Sequence, residues 1–292
     1  MQQSFIENEI SGLHYDNLSG YNIHYSAILP FWLSIIFQLP RVIKSISIEN
    51  RWVAAYCNQH HPDVVISDNR YGFRTKSAYS IFITHQVNIR AGIFTPLINL
   101  WNKKQITKFN FCWIPDFEDS NVSLAGSLSH PKMEIPHCQY IGLLSRFSSD
   151  KRNKEKTIDL LILLSGPEPQ RGLFEKLLIV NFESYKGSVT LICGGNYPPL
   201  AIQPNNWIVK DLLCSQDLES LLLSARKIIC RSGYSTLMDL HCLGLKALLI
   251  PTPGQTEQEY LAEYWEKHFQ FRKLAQRELP LRNLLSLIPE NV

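Results

Sequence analysis

The sequence is poor in charge. Only 19% of its 292 residues are Asp, Glu, Lys or Arg, and the formal net charge is +3. So small a surplus leaves no basic footprint for a phosphate backbone, and no nucleic-acid partner is expected. It is compatible with an anionic small ligand, or with peripheral contact at an acidic membrane surface. Long hydrophobic runs are missing too. The longest, Ala27 to Leu39, is about 13 residues broken by Pro30, against the roughly 20 that span a bilayer. It reads as the start of a buried helix, or else as a membrane-leaning or acceptor-facing helix carrying Phe31, Trp32, Ile35, Ile36 and Phe37. The opening Met1-Gln-Gln-Ser-Phe-Ile-Glu-Asn-Glu lacks the basic start and apolar core of a signal peptide, so a cytoplasmic protein is expected, with the inner membrane face as its other station. The 7 cysteines show no CxxC spacing and several sit in apolar runs. Buried free thiols explain them better than a disulfide framework or a zinc site. No Gly-x-x-x-x-Gly-Lys-Ser/Thr occurs, which argues against a P-loop ATPase or helicase. Fixed-period repeats and low-complexity segments are absent as well.

What is present is a globular composition, 45% hydrophobic, in a chain long enough for two cores. Pro40 to Gln59 predicts a helix. Val42, Ile43, Ile46, Ile48, Trp52, Val53 and Tyr56 form its apolar stripe, with Arg41, Lys44, Glu49, Asn50 and Arg51 opposite. Val64–Asp68 and Ser80–Gln86 read as short buried strands, Trp101–Phe109 as a helix and Phe111–Asp116 as a strand with its exit. Residues 121–136 are a polar loop. From Tyr140 to Lys156 apolar residues give way to a charged, Ser-containing run, which suits an interdomain linker. The expected domains are 1–148 and 149–272, with a tail over 273–292. Residues 157–262 alternate as β-α-β-β-α-β-α-β-α, a compact Rossmann-like pattern, and residues from His268 on read as an amphipathic helix and a Pro/Leu tail.

Within this pattern one stretch carries chemistry. Ile228-Ile229-Cys230 runs into Arg231-Ser232-Gly233-Tyr234-Ser235-Thr236, then a helical segment with Asp239, then Gly244 and a strand closed by Pro251. Ser235 or Thr236 can cap the helix, and Thr236-x-x-Asp239 has capping-box spacing with Asp for Glu. A helix amino terminus there would favour an anion, and Asp239 one turn on could hold a diol such as a ribose. The plain alternative is a capped helix in an ordinary α/β fold. Pro251 to Tyr260 then forms a polar loop past a strand's carboxyl end, where open α/β sheets bind ligands.

Arg231 to Ala262 resembles the donor-binding half of glycosyltransferase family 28, of the MurG type that adds N-acetylglucosamine to lipid I. The shared pattern is Cys-Arg-Ser-Gly, Thr236, the acid Asp239, Gly244, a Pro-ended strand and a Gln-containing loop. The resemblance implies a GT-B-like α/β fold, two Rossmann-like domains with parallel sheets facing a cleft. It implies that Ser232, Gly233, Tyr234, Ser235 and Thr236 meet a nucleotide diphosphate, that Asp239 takes ribose hydroxyls, and that Gln258 and Glu259 face the sugar. Glu259 stands where the family commonly has a second Gln. After the first strand of the domain, Gly166-Pro-Glu-Pro-Gln-Arg171 replaces the family's Gly-rich loop; prolines remove N–H donors, and Arg171 could supply charge instead. A plain strand–helix turn is the alternative. Gly194 and Gly195 at a strand end would let a base or ribose approach the backbone. His85-Gln86-Val87-Asn88 resembles the family's His-Glu-Gln-Asn stretch without its Glu, which makes His85 the candidate catalytic residue. A structural histidine at a strand end is the competing reading. The family's first-domain Gly-x-Gly-His loop has no counterpart. Matching the strands places Met1 on the order of 50 residues late, one strand–helix–strand unit, so the first domain is expected to be incomplete. An open sheet edge there could borrow a strand from a second copy, making a homodimer.

Three functions follow. The first is a metal-independent hexosyltransferase moving a sugar by inverting displacement from a nucleotide-diphosphate donor to an unidentified acceptor. The donor would be a UDP-sugar such as UDP-N-acetylglucosamine, a substrate, with no cofactor required. The second is a nucleotide-sugar-binding protein without activity. The third is a nucleotide-sugar epimerase or hydrolase using Glu257, Glu259 and His85.

Overall fold

In the computed structural model the described residues are 6, 7, 9, 10, 12–16, 18, 31–131, 133–148, 154–166, 168–194, 206–281 and 284–291. The chain divides into two compact units, Asp16–Leu144 and Met1–Tyr15 with Ser145–Val292, here called the N-terminal and C-terminal units.

The N-terminal unit opens with helix α1, Phe31–His60, which continues through Pro40 instead of starting there. The side chains of Phe31, Trp32, Ile35, Ile36 and Phe37, assigned a membrane or acceptor role, lie outside the described part. Further along, the inward stripe is Ile46, Glu49, Val53 and Cys57, a helical i, i+3, i+7, i+11 row. Ile43 and Ile48, expected on that stripe, are 51% and 45% exposed. Glu49, expected on the outer face, is buried because Arg70 Nε donates to its Oε1 at 2.6 Å. The turn at Gly72 comes so close that a Cβ there would lie 2.6 Å from Glu49 Cβ and against the Ile46 carbonyl.

Four parallel strands follow: β1 Val64–Asp68, β2 Tyr79–Ile83, β3 Phe111–Ile114 and β4 Cys138–Tyr140, ordered β1-β2-β3-β4. Helix α2, Thr95–Ile106, crosses from β2 to β3. Phe82, Val87, Ile106, Phe109, Cys112, Ile114 and Ile135 pack as the core. β1 was expected to be buried. It is an outer strand with alternating exposure, Val64 at 46% and Ile66 at 49%, so only its Val65 and Ser67 side turns inward.

The C-terminal unit runs β5 Ile158–Leu163, α3 Gln170–Phe182, β6 Val189–Ile192, β7 Trp207–Lys210, α4 Ser215–Ser224, β8 Ala225–Cys230, α5 Tyr234–Cys242, β9 Leu248–Leu249, α6 Thr256–His268 and β10 Arg272–Lys273. Through α6 this is the predicted succession. All six strands are parallel, ordered β10-β9-β8-β5-β6-β7. Central β5 has Leu160, Leu161 and Ile162 at 0% exposure, the apolar run of a strand covered on both faces. Each such side chain contributes about 1.5–3 kcal/mol on burial. The segment after His268 is not the expected helix. Arg272 and Leu274 donate their N–H groups to Ala247 and Leu249 carbonyls, completing the sheet edge. Leu274, Leu279, Leu284 and Ile288 then pack into the same core as Leu160 and Phe174.

Strand order reverses between β5 and β8. In doubly wound sheets the crevice at the carboxyl ends of such a pair receives ligands. Here those ends lead to Gly166 and to Arg231–Thr236.

Candidate functional site

The turn after β8 is built around two buried residues. Ser232 Oγ donates to the Gln258 carbonyl at 2.7 Å, tying the turn to α6. Arg231 is 1% exposed and has no carboxylate partner among the described residues. Its Nη1 donates to the Ile250 and Pro251 carbonyls at 3.0 and 3.1 Å, its Nη2 to the Gln170 carbonyl at 3.2 Å, and Cζ lies 3.9 Å over the Phe174 ring. Burial lowers its pKa from 12.5 to about 10. Arg231 thus fixes the loops that follow β9 and precede α3 against β8. It carries a weakly compensated positive charge beneath the carboxyl ends of the strands.

Gly233 is the N-cap of α5, with extended φ −69 and ψ 136 and no side-chain cap bond. The predicted capping box does not form. Neither Ser235, exposed, nor Thr236, half-buried, caps the helix. The first-turn amides of an α-helix precede its first internal acceptor, so an uncapped start favours an anion. Tyr234, at the first helical position, is 4% exposed and points into packing.

Asp239 reaches in another direction. Its Oδ1 accepts from Ser145 Oγ at 2.7 Å and its Oδ2 from Arg146 Nε at 3.1 Å. Cys242 Sγ donates to the Phe147 carbonyl at 3.2 Å, and Arg146 stacks its guanidinium 5.2 Å over the Phe147 ring. Ser145 to Phe147 is therefore clamped along α5. The sequence reading treats this segment as linker, and only the Ser-Arg dipeptide signals otherwise. The Asp239 side chain keeps 9% exposure and is enclosed by polar groups, not sealed in apolar packing.

Gln258 Oε1 accepts from the Thr252 amide at 2.9 Å and Glu259 Oε1 from the Gly254 amide at 3.1 Å, so both predicted sugar-facing residues shape the loop after β9. Glu259 also lines a groove of about 520 Å³ with Pro251, Pro253, Lys273 and Gln276. The Gln276 Oε1 is buried there with no hydrogen-bond partner among the described residues.

At the end of β5, Gly166 turns with φ 98. Arg171, expected to supply charge at this turn, faces inward. It is 4% exposed and paired with Glu168 at 2.9 Å and Glu175 at 3.0 Å. Those acids neutralise it in place and turn its charge away from the Gly166 turn. Gly194 has φ 68, and a Cβ there would stand 2.7 Å from the Leu164 carbonyl, so the fold alone demands glycine. Gly195 lies outside the described residues.

In the N-terminal unit His85 is half-buried in the loop after β2. That loop is held by α2. Asn102 Nδ2 donates to the Gln86 and Val87 carbonyls at 3.1 Å, Asn102 Oδ1 accepts from Tyr71 at 2.7 Å, and Asn99 bonds Asn88 and the Ile89 amide. A second polar cluster missed in the sequence follows β3. Asp116, at 0% exposure, accepts from the amides of Phe117, Leu124 and Ala125 and from the hydroxyls of Ser123 and Ser129. Tyr140 closes the loop by donating to the Ser129 carbonyl at 2.9 Å, and burial with the nearby Asp116 raises its pKa to about 12. Both ring nitrogens of His130 are engaged within this loop, Nε2 at 3.1 Å from the Glu118 carbonyl. Its role is to hold the loop. Among the described residues no group of three or more His, Cys, Asp or Glu is placed to hold a metal ion.

Comparison with known proteins gives this geometry a context. No curated protein matches the chain in sequence. Among solved structures, the glycosyltransferase SnogD from Streptomyces nogalater aligns with 97% of this chain and 81% of its own, at TM-score 0.60 and 11% identity. A glycotransferase of kitacinnamycin aligns with 90% of this chain and 79% of its own, at TM-score 0.56 and 14% identity. The glycosyltransferase VinC, solved in complex with DTDP, aligns with 98% and 79%, at 0.53 and 12%. At such identities the likeness establishes the fold. The family model described as the glycosyltransferase family 28 C-terminal domain matches residues 175–291, which hold the α5 turn, Asp239 and the loop after β9. Residues 175–291 are thus similar to the glycosyltransferase family 28 C-terminal domain, and the chain as a whole has the GT-B fold of the solved glycosyltransferases it aligns with.

Proposed function

We propose that this protein is a glycosyltransferase that binds a nucleoside-diphosphate sugar, a UDP-sugar such as UDP-N-acetylglucosamine, at α5 and transfers the sugar with inversion. The observation that carries this reading is the uncapped amino end of α5 at the β5/β8 switch point, with a held carboxylate, Asp239, one turn further on. The diphosphate would meet the first-turn amides and Thr236, and the buried Arg231 charge would add to the potential that stabilises the leaving group. Asp239 would take the ribose hydroxyls. His85 is the candidate base for the acceptor hydroxyl. No step requires a metal ion. VinC and the rhamnosyltransferase SpnG, solved with DTDP and thymidine diphosphate, lend support for a nucleoside diphosphate in this fold.

Calorimetry with UDP tests the site. Thr236→Val, which keeps shape and loses the hydroxyl, should weaken UDP binding. Wild-type affinity in this variant would refute the assignment. Release of UDP from a UDP-sugar with a glycosylated product separates the transferase from the inactive binding protein, which would bind without turnover.

A peripheral membrane contact has its own support. Ile93, Leu97 and Leu100 are 82%, 67% and 59% exposed along one face of the Gly92–Phe94 turn and α2. No acidic residue occurs from Thr84 to Pro115, while Arg90, Lys103, Lys104 and Lys108 do. An apolar face flanked only by cations suits an anionic bilayer. Cosedimentation with phosphatidylglycerol vesicles, lost in Leu97→Glu, is the check.

A further inference from the structure

The sheet of the N-terminal unit sets two cysteines side by side. Cys112 on β3 and Cys138 on β4 are register partners in neighbouring parallel strands. Their side chains therefore leave the same face of the sheet. Adjacent strands lie about 4.7–4.9 Å apart, inside the roughly 4.4–6.8 Å Cα separation that a disulfide accepts. Both thiols are free.

Their surroundings differ in a useful way. Cys112 is 1% exposed, packed with Phe82, Phe109 and Ile135, while Cys138 is half-buried on the outer strand. The neighbouring Cys112 thiol lowers the pKa of Cys138. The same proximity, with burial, raises that of Cys112. A half-buried sulfur on the outer strand beside a fully buried one is the arrangement of an attacking and a resolving thiol.

We propose that Cys112 and Cys138 form an oxidisable pair in which a hydroperoxide oxidises Cys138 and Cys112 resolves it to a disulfide. The Cys138 thiolate attacks one peroxide oxygen, the O–O bond breaks, and hydroxide or alkoxide leaves. The resulting Cys138 sulfenic acid is attacked by the Cys112 sulfur. The S–S bond forms and the hydroxyl departs as water with the Cys112 proton. Two thiols lose two electrons and the peroxide is reduced. The new bond ties outer strand β4 to β3 beside the Asp116 loop, which β4 already holds through Tyr140.

The test treats the full folded chain with hydrogen peroxide, then alkylates it in denaturant and maps tryptic peptides. Cys112 falls in Phe109–Lys132 and Cys138 in Met133–Arg146, one cysteine in each. The expected result is loss of two of the 7 alkylatable thiols, with these two peptides joined and released by dithiothreitol. In Cys112→Ala, Cys138 should stop at the sulfenic acid and be captured by dimedone. The proposal is overturned if both peptides remain alkylated while other cysteines oxidise. It is equally overturned if wild-type Cys138 accumulates as sulfinic acid with Cys112 still free. Should the variant not fold, the wild-type peptide map alone decides.

Discussion

Replacing Asp239 with Asn isolates what its charge contributes. A carboxylate has about four lone-pair positions, and Ser145 and Arg146 occupy two of them. On the proposed function, the two that remain would take the hydroxyls of a ribose. Asn keeps the shape and loses the charge. A hydrogen bond to a charged acceptor is worth about 1.5–3 kcal/mol against about 1 for a neutral one. Losing this difference of about 0.5–2 kcal/mol over two hydroxyls amounts to about 1–4 kcal/mol, a UDP complex roughly five- to several-hundredfold weaker. The free protein should suffer less. Arg146 is 41% exposed, so solvent screens its ion pair to under about 1 kcal/mol, and the Ser145 bond loses about as much again. The total, roughly 1–2 kcal/mol, lowers the melting temperature by a few degrees. Isothermal titration calorimetry with UDP and a thermal melt of the same Asp239→Asn sample give both numbers. A folded variant that binds UDP within twofold of wild type would refute the reasoning.

Other predictions follow from packing. Asn102→Ala leaves two buried carbonyls and the Tyr71 hydroxyl without their partner and should destabilise the N-terminal unit by about 3 kcal/mol, read from urea unfolding. Gly194→Ala combines a left-handed backbone, costing about 1–2 kcal/mol, with a clash at the Leu164 carbonyl. Chemical denaturation should show that loss with no ligand present. His241 packs edge-on to Trp265 and Phe269, and burial lowers its pKa below 6.5. The unfolded chain then takes up the proton first as pH falls, so stability is full above 6.5 and declines below it. His241→Phe should flatten that acid limb in thermal melts from pH 7 to 5; an unchanged slope would count against the assignment.

The C-terminal unit is largely legible in the sequence because its strands are continuous apolar runs punctuated by Gly and Pro, the signature of strands buried on both faces. β10 escapes notice, since a two-residue strand leaves no periodicity and takes its partner from the edge of β9. In the N-terminal unit Glu49 looks like a surface residue until Arg70, far along the chain, is brought against it. The site divides in the same way. Thr236 and Asp239 stand out from local spacing, but the partners of Asp239 lie 94 and 93 positions away, and no local pattern announces them. Arg171 is a different case. Acids three before it, in the turn ahead of the helix, and four after it, one helical turn on, foretell its pairing, and this signal outweighs the glycine-loop comparison.

The placing of β5 bears on how this protein forms. Its hydrogen-bonded neighbours are β6, which follows closely, and β8, where Ile158 meets Ala225 only after four intervening elements have been made. Closing so wide a loop slows assembly and favours a late, concerted collapse. Amides of Leu160 to Leu163 should therefore exchange with solvent water only when the entire unit opens, and a nascent chain stalled before Ala225 would present β5 with one flank bare to chaperones and to its own kind.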